Sequence, residues 1–172
     1  NWRIAMKKIS IIVLILSLFI ITGCDKEKEV KVNGEKIDTS KMEHKHCIRE
    51  ATMTGGEVNL DYDIYYIGDK LEILKSEEKV TSDSEETLNT YEEAYKKIHS
   101  NYEGIEYYDT KVERTDNSVT SYITINYAKI DADKLIAIEG EKDNVFENKK
   151  AKVSKWITLA KKFGTKCVLV ED

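Results

Sequence analysis

The sequence predicts an α+β domain in which a largely antiparallel sheet of about five to six strands carries two main helices packed on one face. Apolar and polar residues alternate from Val58 to Tyr66, as they do in a half-buried strand. Apolar residues recur at helical spacing from Leu88 to Ile98 and again from Val153 to Phe163. In chain order these patterns give a hairpin, a helix, a second hairpin, a second helix and a closing strand.

Turn residues place the two hairpins. Gly68-Asp69 favours a tight turn after the first strand, because glycine readily adopts a positive φ, and the return strand begins at Leu71. Ile105–Arg114 and Tyr122–Tyr127 predict the second hairpin, since Tyr122–Tyr127 in particular is rich in β-branched and aromatic residues. Asp116-Asn117 supplies the turn between them.

The first helix is predicted to run from about Ser84 to Ser100. Ser82 with Glu85 matches a capping box, and Ser84 is the alternative cap. A short helical turn is predicted at residues 131–135, and a loop is predicted at residues 143–150. A short buried strand is predicted at Cys167–Val170. Residues 47–172 are therefore expected to form a single domain.

Residues 1–23 are expected to be a signal peptide rather than part of the fold. Lys7 and Lys8 precede the apolar run Ile9–Ile21, which is too short for a membrane span of about 20 residues. Met6 is a plausible start, which would make residues 1–5 an upstream extension. The segment predicts export from the cytoplasm.

The sequence Ile21-Thr22-Gly23-Cys24 resembles the lipobox of bacterial lipoproteins. The resemblance implies cleavage before Cys24 and a diacylglyceryl cysteine that carries fatty acids such as palmitate, with two acyl chains giving stable anchoring. The expected location is the extracytoplasmic side of the cell membrane. Residues 24–46 are then interpreted as the lipidated cysteine and a charged, flexible tether, with an end-to-end distance of roughly 25 Å.

Charge and motifs exclude several functions. Lys and Arg total 27 and Asp and Glu total 32, for a net charge of −5. This balance argues against a nucleic-acid partner, which requires a basic surface. No catalytic or nucleotide-binding motif is present, so no catalytic residue and no cofactor are predicted, and the chain is not expected to be an enzyme. The remaining catalytic possibilities are a nucleophilic pair of Cys47 and His99 and a cluster of carboxylates.

Two further patterns offer candidate sites. Cys47 and Cys167 are candidates for a disulfide, because a pair of cysteines outside the cytoplasm is usually oxidised; two separate buried thiols are the alternative. His44 and His46 are weak candidates for a metal site, since they share one face of an extended segment while Cys47 faces the other way. The acidic residues after Asn59 alternate at strand spacing and lack the glycine of a calcium loop.

The sequence as a whole resembles the YehR-like family of small bacterial lipoproteins. The features that carry the resemblance are the lipobox, the charged segment after it, and the stretches Thr52–Asp69, Ser82–Tyr102 and Trp156–Val170. The family has no assigned biochemical activity, so the resemblance implies a fold and a location and supplies no active site.

The leading functional hypothesis is a non-catalytic binding or accessory module at the cell surface, with the membrane as one partner through Cys24. It would present a sheet face, an edge strand or an aromatic patch to an unknown protein partner. The alternative is an envelope protein that binds a small ligand or a metal, which would require a concave pocket lined by tyrosines or an ion held by His44 and His46. The ligand-binding residues cannot be assigned from the sequence.

Overall fold

Ten strands and three helices lie within residues 28–140 and 144–171, the part of the chain that the computed structural model describes. The strands are β1 (Glu29–Val32), β2 (Glu35–Asp38), β3 (Glu43–Met53), β4 (Gly56–Ile67), β5 (Lys70–Ser82), β6 (Tyr108–Arg114), β7 (Ser118–Asn126), β8 (Phe146–Glu147), β9 (Lys150–Ala151) and β10 (Lys166–Val170). The helices are α1 (Glu85–Ser100), α2 (Ala132–Glu139) and α3 (Val153–Lys162). The predicted signal peptide and Cys24 lie outside the described residues.

A six-stranded antiparallel sheet organises the fold, in the order β10-β3-β4-β5-β7-β6. Its longest strands, β4 and β5, are joined by the two-residue turn Gly68-Asp69, in which Gly68 has φ +59°. This is the hairpin that the alternation from Val58 to Tyr66 predicts. The predicted α+β class and the antiparallel sheet are confirmed.

The three helices pack against the same face of the sheet. Leu88 and Tyr95 of α1 bury themselves on Val58, Val80 and Val119. The helices α2 and α3 cover a larger core, which includes these buried side chains: Ile64, Leu74, Ile125, Leu135, Val153 and Trp156. Of the two predicted caps for α1, Ser84 is the one used, because its side chain accepts a hydrogen bond from the Thr87 N–H at 3.2 Å.

The prediction of a flexible tether over residues 24–46 is wrong for residues 28–46. The strands β1 and β2 form a hairpin around Asn33-Gly34, whose φ values of +52° and +77° are those of a type I′ turn. Val30 and Val32 are buried, and β3 begins at Glu43, before the predicted domain boundary at residue 47. The apolar residues of this segment are few, but they alternate, and burial of one face orders the chain.

The N-terminal hairpin covers the sheet face that lies opposite the helices. Val30 and Val32 pack against Tyr65 of β4 and Ile73 of β5, both of which are 1% exposed. The alternation from Val58 to Tyr66 predicts that Tyr65 points into solvent, and Tyr65 does point away from the helices. The prediction that it is exposed is wrong because the hairpin covers it.

The C-terminal part differs from the prediction in two details. The strand β10 lies at the edge of the sheet, and Val168 and Leu169 are exposed, so the predicted buried strand is wrong. The predicted loop at residues 143–150 contains β8 and the first residue of the two-residue strand β9. Of the helices in the described residues, none has both the length and the apolar character required to cross a bilayer.

Candidate functional site

A cavity of about 530 Å³ lies between the sheet and the helices that cover it. Its floor consists of side chains that are neighbours across the strands. Tyr62, Ser76 and Ile123 stand opposite one another on β4, β5 and β7. The small side chain of Ser76 stands between two large ones, and it leaves space in the middle of the sheet face.

Aromatic rings form the walls of this cavity. Tyr102, in the turn after α1, stacks on Tyr108 of β6 with ring centroids 4.3 Å apart and planes 3° from parallel. Trp156 of α3 meets Tyr62 edge to face at a centroid distance of 5.2 Å. Tyr127 also lines the cavity and is almost fully buried. Four tyrosines and a tryptophan thus surround one space, and Phe163, exposed, stands among the lining residues.

Two carboxylates, Glu78 and Glu139, complete the lining. Glu78 accepts a hydrogen bond from the Tyr95 hydroxyl at 3.0 Å. Glu139 is the last residue of α2, and within the described residues its carboxylate has neither an ion pair nor a hydrogen-bond partner. Burial raises the pKa of Glu139 to about 7. An acid with such a raised pKa in an aromatic cavity is a common mark of a functional site.

A second, more polar cavity of about 800 Å³ shares Tyr102 and Tyr108 with the first. His99 of α1 lies in its lining, and burial lowers the pKa of this imidazole. Its Nε2 lies 2.9 Å from the Ser121 hydroxyl, so His99 holds α1 on the sheet through a buried hydrogen bond. The contact is buried, and Ser121 is not among the residues that line this cavity.

The candidate metal residues lie on the opposite face of the sheet, where β3 and β4 pair. His46 Nδ1 is 3.1 Å from Asp63 Oδ1 and 3.4 Å from Asp61 Oδ1, and His44 Nε2 is 2.7 Å from the same Asp63 oxygen. His44 is buried and stacks on Tyr65 at 4.5 Å. Burial alone would raise the pKa of Asp63, but hydrogen bonds with the two histidines outweigh it and lower that pKa. Burial raises the pKa of Asp61.

Cys47 and Cys167 are joined by a disulfide. They are direct cross-strand partners in the pairing of β3 with β10, and the bond ties the edge strand to the sheet. Because the Cys47 sulfur is bonded, it cannot serve as a nucleophile or a metal ligand. The possible pairing of Cys47 with His99 is therefore ruled out.

Sequence reasoning located the histidines and cysteines but missed the cavity. The alternation of β4 predicts that Tyr62 is a core residue, and no sequence pattern indicates Glu139. The residues that meet in this cavity come from four strands, two helices and the segments that join them. One sequence pattern does indicate polar groups on the cavity face of the sheet. In the polar run from Lys75 to Lys79, Ser76 and Glu78 point to the same face as Leu74 if the run is a strand. Asp61 and Asp63 lie beside the histidines only because of the register of β3 and β4.

Two solved structures share this fold. The NMR structure of the YehR protein from E. coli matches with a TM-score of 0.51 and 22% identity, over 74% of this chain and 92% of that one. The NMR structure of a protein from Streptococcus pneumoniae TIGR4 matches with a TM-score of 0.50 and 15% identity, over 86% of this chain and 97% of that one. No protein-family model and no curated protein matches the chain. The chain has a YehR-like fold, as its sequence pattern predicts.

Proposed function

We propose that this chain is a lipid-anchored, extracytoplasmic binding protein that holds a small molecule in the aromatic cavity between the sheet and the helices. The observation that carries the proposal is the cavity itself, of about 530 Å³ and lined by four tyrosines, Trp156 and the carboxylate of Glu139. A space of this size is within the range of small-molecule sites, which are mostly apolar with a few polar groups. The partners that the proposal names are the bilayer, through Cys24, and the ligand.

The role is proposed to be binding without catalysis. Within the described residues, the groups around the cavity lack a nucleophile activated by a neighbouring base. Cys47 is bonded to Cys167, and the Ser121 hydroxyl that meets His99 is buried and lies outside the lining of this cavity. What the lining does offer is apolar contact area with two carboxylates to orient a ligand.

Native mass spectrometry of the full chain, released gently from membranes, tests the binding. We expect a reproducible additional mass on the wild-type protein and its loss in Ser76→Leu, since a larger side chain at Ser76 fills the cavity floor. Lys79→Leu, on the opposite face of β5, is the matched control and should keep the ligand. A bare protein in every preparation, or an adduct that Ser76→Leu retains, would contradict the proposal.

The anchor requires its own experiment. We expect Cys24→Ala to abolish incorporation of labelled palmitate and to shift the chain from its lipidated form to the uncleaved precursor. The matched control is Cys47→Ala/Cys167→Ala, which removes the other two cysteines and should leave labelling unchanged. Labelling that persists in Cys24→Ala would refute lipidation at this residue.

A second candidate function is metal binding at the cluster of His46, Asp61 and Asp63. One nitrogen and two carboxylate oxygens lie within 4.8 Å of one another. Ligand atoms around a tetrahedral zinc ion lie about 3.3 Å apart, given metal–ligand bonds of about 2.0 Å, and the two distances from His46 Nδ1 are close to this value. His44 supports the cluster, since it orients Asp63 from a buried position.

Zinc titration of the metal-free chain tests this candidate. We expect one equivalent to bind and Asp63→Asn to weaken binding by about 10-fold or more. Glu50→Gln, on the same strand face but outside the cluster, should bind as the wild type does. Equal affinity for zinc in Asp63→Asn and the wild type would remove metal binding at this cluster from consideration.

A further inference from the structure

The aromatic cavity has an unbalanced electrostatic character. Its described lining contains two carboxylates and no lysine, arginine or histidine. The Arg49 side chain influences Tyr62 on the same sheet face, but it is not among the lining residues. A ligand in this space therefore meets negative charge without a compensating cation from the described lining.

Glu139 is the carboxylate best placed to act on a ligand. The carboxylate of Glu78 already accepts a hydrogen bond from Tyr95, whereas that of Glu139 is without a partner among the described residues. Glu139 lines the cavity together with Tyr102, Tyr108 and Tyr127. Burial raises the pKa values of these three tyrosines, and the charge of Glu139 raises them further.

The ring faces add to the same preference. The face of an aromatic ring carries partial negative charge and attracts cations, most strongly when water is excluded. Trp156 is nearly buried and stands edge to face with Tyr62, while Tyr102 and Tyr108 stack as a pair on another part of the wall. An anionic ligand would meet repulsion from Glu139 and from the rings, with no group to offset it.

We propose that the ligand of the aromatic cavity is a small organic ammonium ion whose cationic group lies beside Glu139 and against the tyrosine and tryptophan rings. This inference rests on the proposed binding function and adds the chemical class of the ligand. The carboxylate neutralises the positive charge, and the rings replace the water that a quaternary or alkylated ammonium group holds only weakly. The remaining apolar lining accommodates the alkyl part of the ligand.

Calorimetric titration of the full chain with isosteric pairs of probes tests the charge preference. Choline is compared with 3,3-dimethylbutan-1-ol, and acetylcholine with 3,3-dimethylbutyl acetate, so that each pair differs by one charge at nearly constant shape. We expect each cation to bind at least about 10-fold more tightly than its neutral partner. In Glu139→Gln the preference should fall several-fold, and in Ser76→Leu both probes of a pair should lose binding.

The outcomes separate the two proposals. Equal binding of cation and neutral probe, both lost in Ser76→Leu, would overturn the ammonium inference and leave the binding function standing. A charge preference that Glu139→Gln leaves unchanged would also overturn it. Failure of both probes to bind wild-type protein overturns the inference as well, and the binding function then depends on whether native mass spectrometry shows a ligand sensitive to Ser76→Leu.

Discussion

Tyr102 and Tyr108 stack with their rings 4.3 Å apart and 3° from parallel, although one lies in the turn after α1 and the other begins β6. The pair fixes the end of α1 against the sheet and forms a wall shared by two cavities. Its geometry therefore links the placement of a helix to the shape of the candidate binding site.

Removing one ring of this pair should weaken binding more than it weakens the fold. We expect Tyr102→Leu to lower the affinity for a cationic probe by about 3-fold to 10-fold, because one ring face is lost, with a stability loss of about 1 kcal/mol. Tyr91→Leu is the matched control, since Tyr91 packs against Tyr95 and lies outside the lining. Titration and urea unfolding measure both effects, and equal affinity losses in the two variants would argue against a role for the stacked pair.

Glu139 should make stability depend on pH. Its pKa rises to about 7 from an ordinary value of 4.5, so between these values the folded chain keeps a proton that the unfolded chain releases. Stability from this group is therefore present below pH 4.5 and falls as pH rises to about 7. Tyr102, Tyr108 and Tyr127 around it have raised pKa values and stay neutral in this window. Glu78 is present in both the wild type and a Glu139→Gln variant, so it does not contribute to a difference between them.

The comparison that isolates this effect is wild type against Glu139→Gln in urea unfolding across the same pH range. We expect the wild type to lose about 1 kcal/mol relative to the variant as pH rises through the window. Parallel curves for the two proteins would mean that Glu139 has an ordinary pKa.

The disulfide should stabilise the fold without being needed to form it. It links Cys47 to Cys167 over a sequence separation of 120, so it restricts the unfolded chain strongly. We expect Cys47→Ala/Cys167→Ala to lower the free energy of unfolding by about 2–4 kcal/mol while the circular dichroism spectrum is retained. Wild-type protein under reducing conditions should match the variant, and identical denaturation midpoints with and without reductant would show that the bond contributes nothing.

The N-terminal hairpin should behave as part of the folded domain. Val32 is 0% exposed and packs on Tyr65 and Ile73. We expect Val32→Asp to destabilise the chain by about 2–4 kcal/mol and to expose Tyr65, because a carboxylate cannot be buried unpaired. Lys31→Asp, one position away and exposed, should change stability by less than about 0.5 kcal/mol. A Val32→Asp chain as stable as the wild type would restore the interpretation of this segment as a tether.

Sequence reasoning succeeded where one segment determines its own structure. The alternation of β4, the turn at Gly68 and the spacing of Leu88 and Tyr95 each determine a local element. It failed for residues 28–46, where the four scattered apolar residues predict a solvated tether. Asn33-Gly34 between Val32 and Glu35 is nevertheless a strong hairpin signal. The cavity depends on contacts between distant segments, and the burial of Glu139 follows from those contacts alone.

The N-terminal hairpin lies on the sheet face opposite the cavity, and this arrangement bears on how the domain would be oriented at a membrane. Cys24 is five residues before Glu29, a reach of at most about 18 Å. A lipid on Cys24 would hold the hairpin face toward the membrane and turn the cavity outward. Under the proposed binding function, a ligand would then enter the cavity from the surrounding fluid and not by lateral transfer out of the lipid.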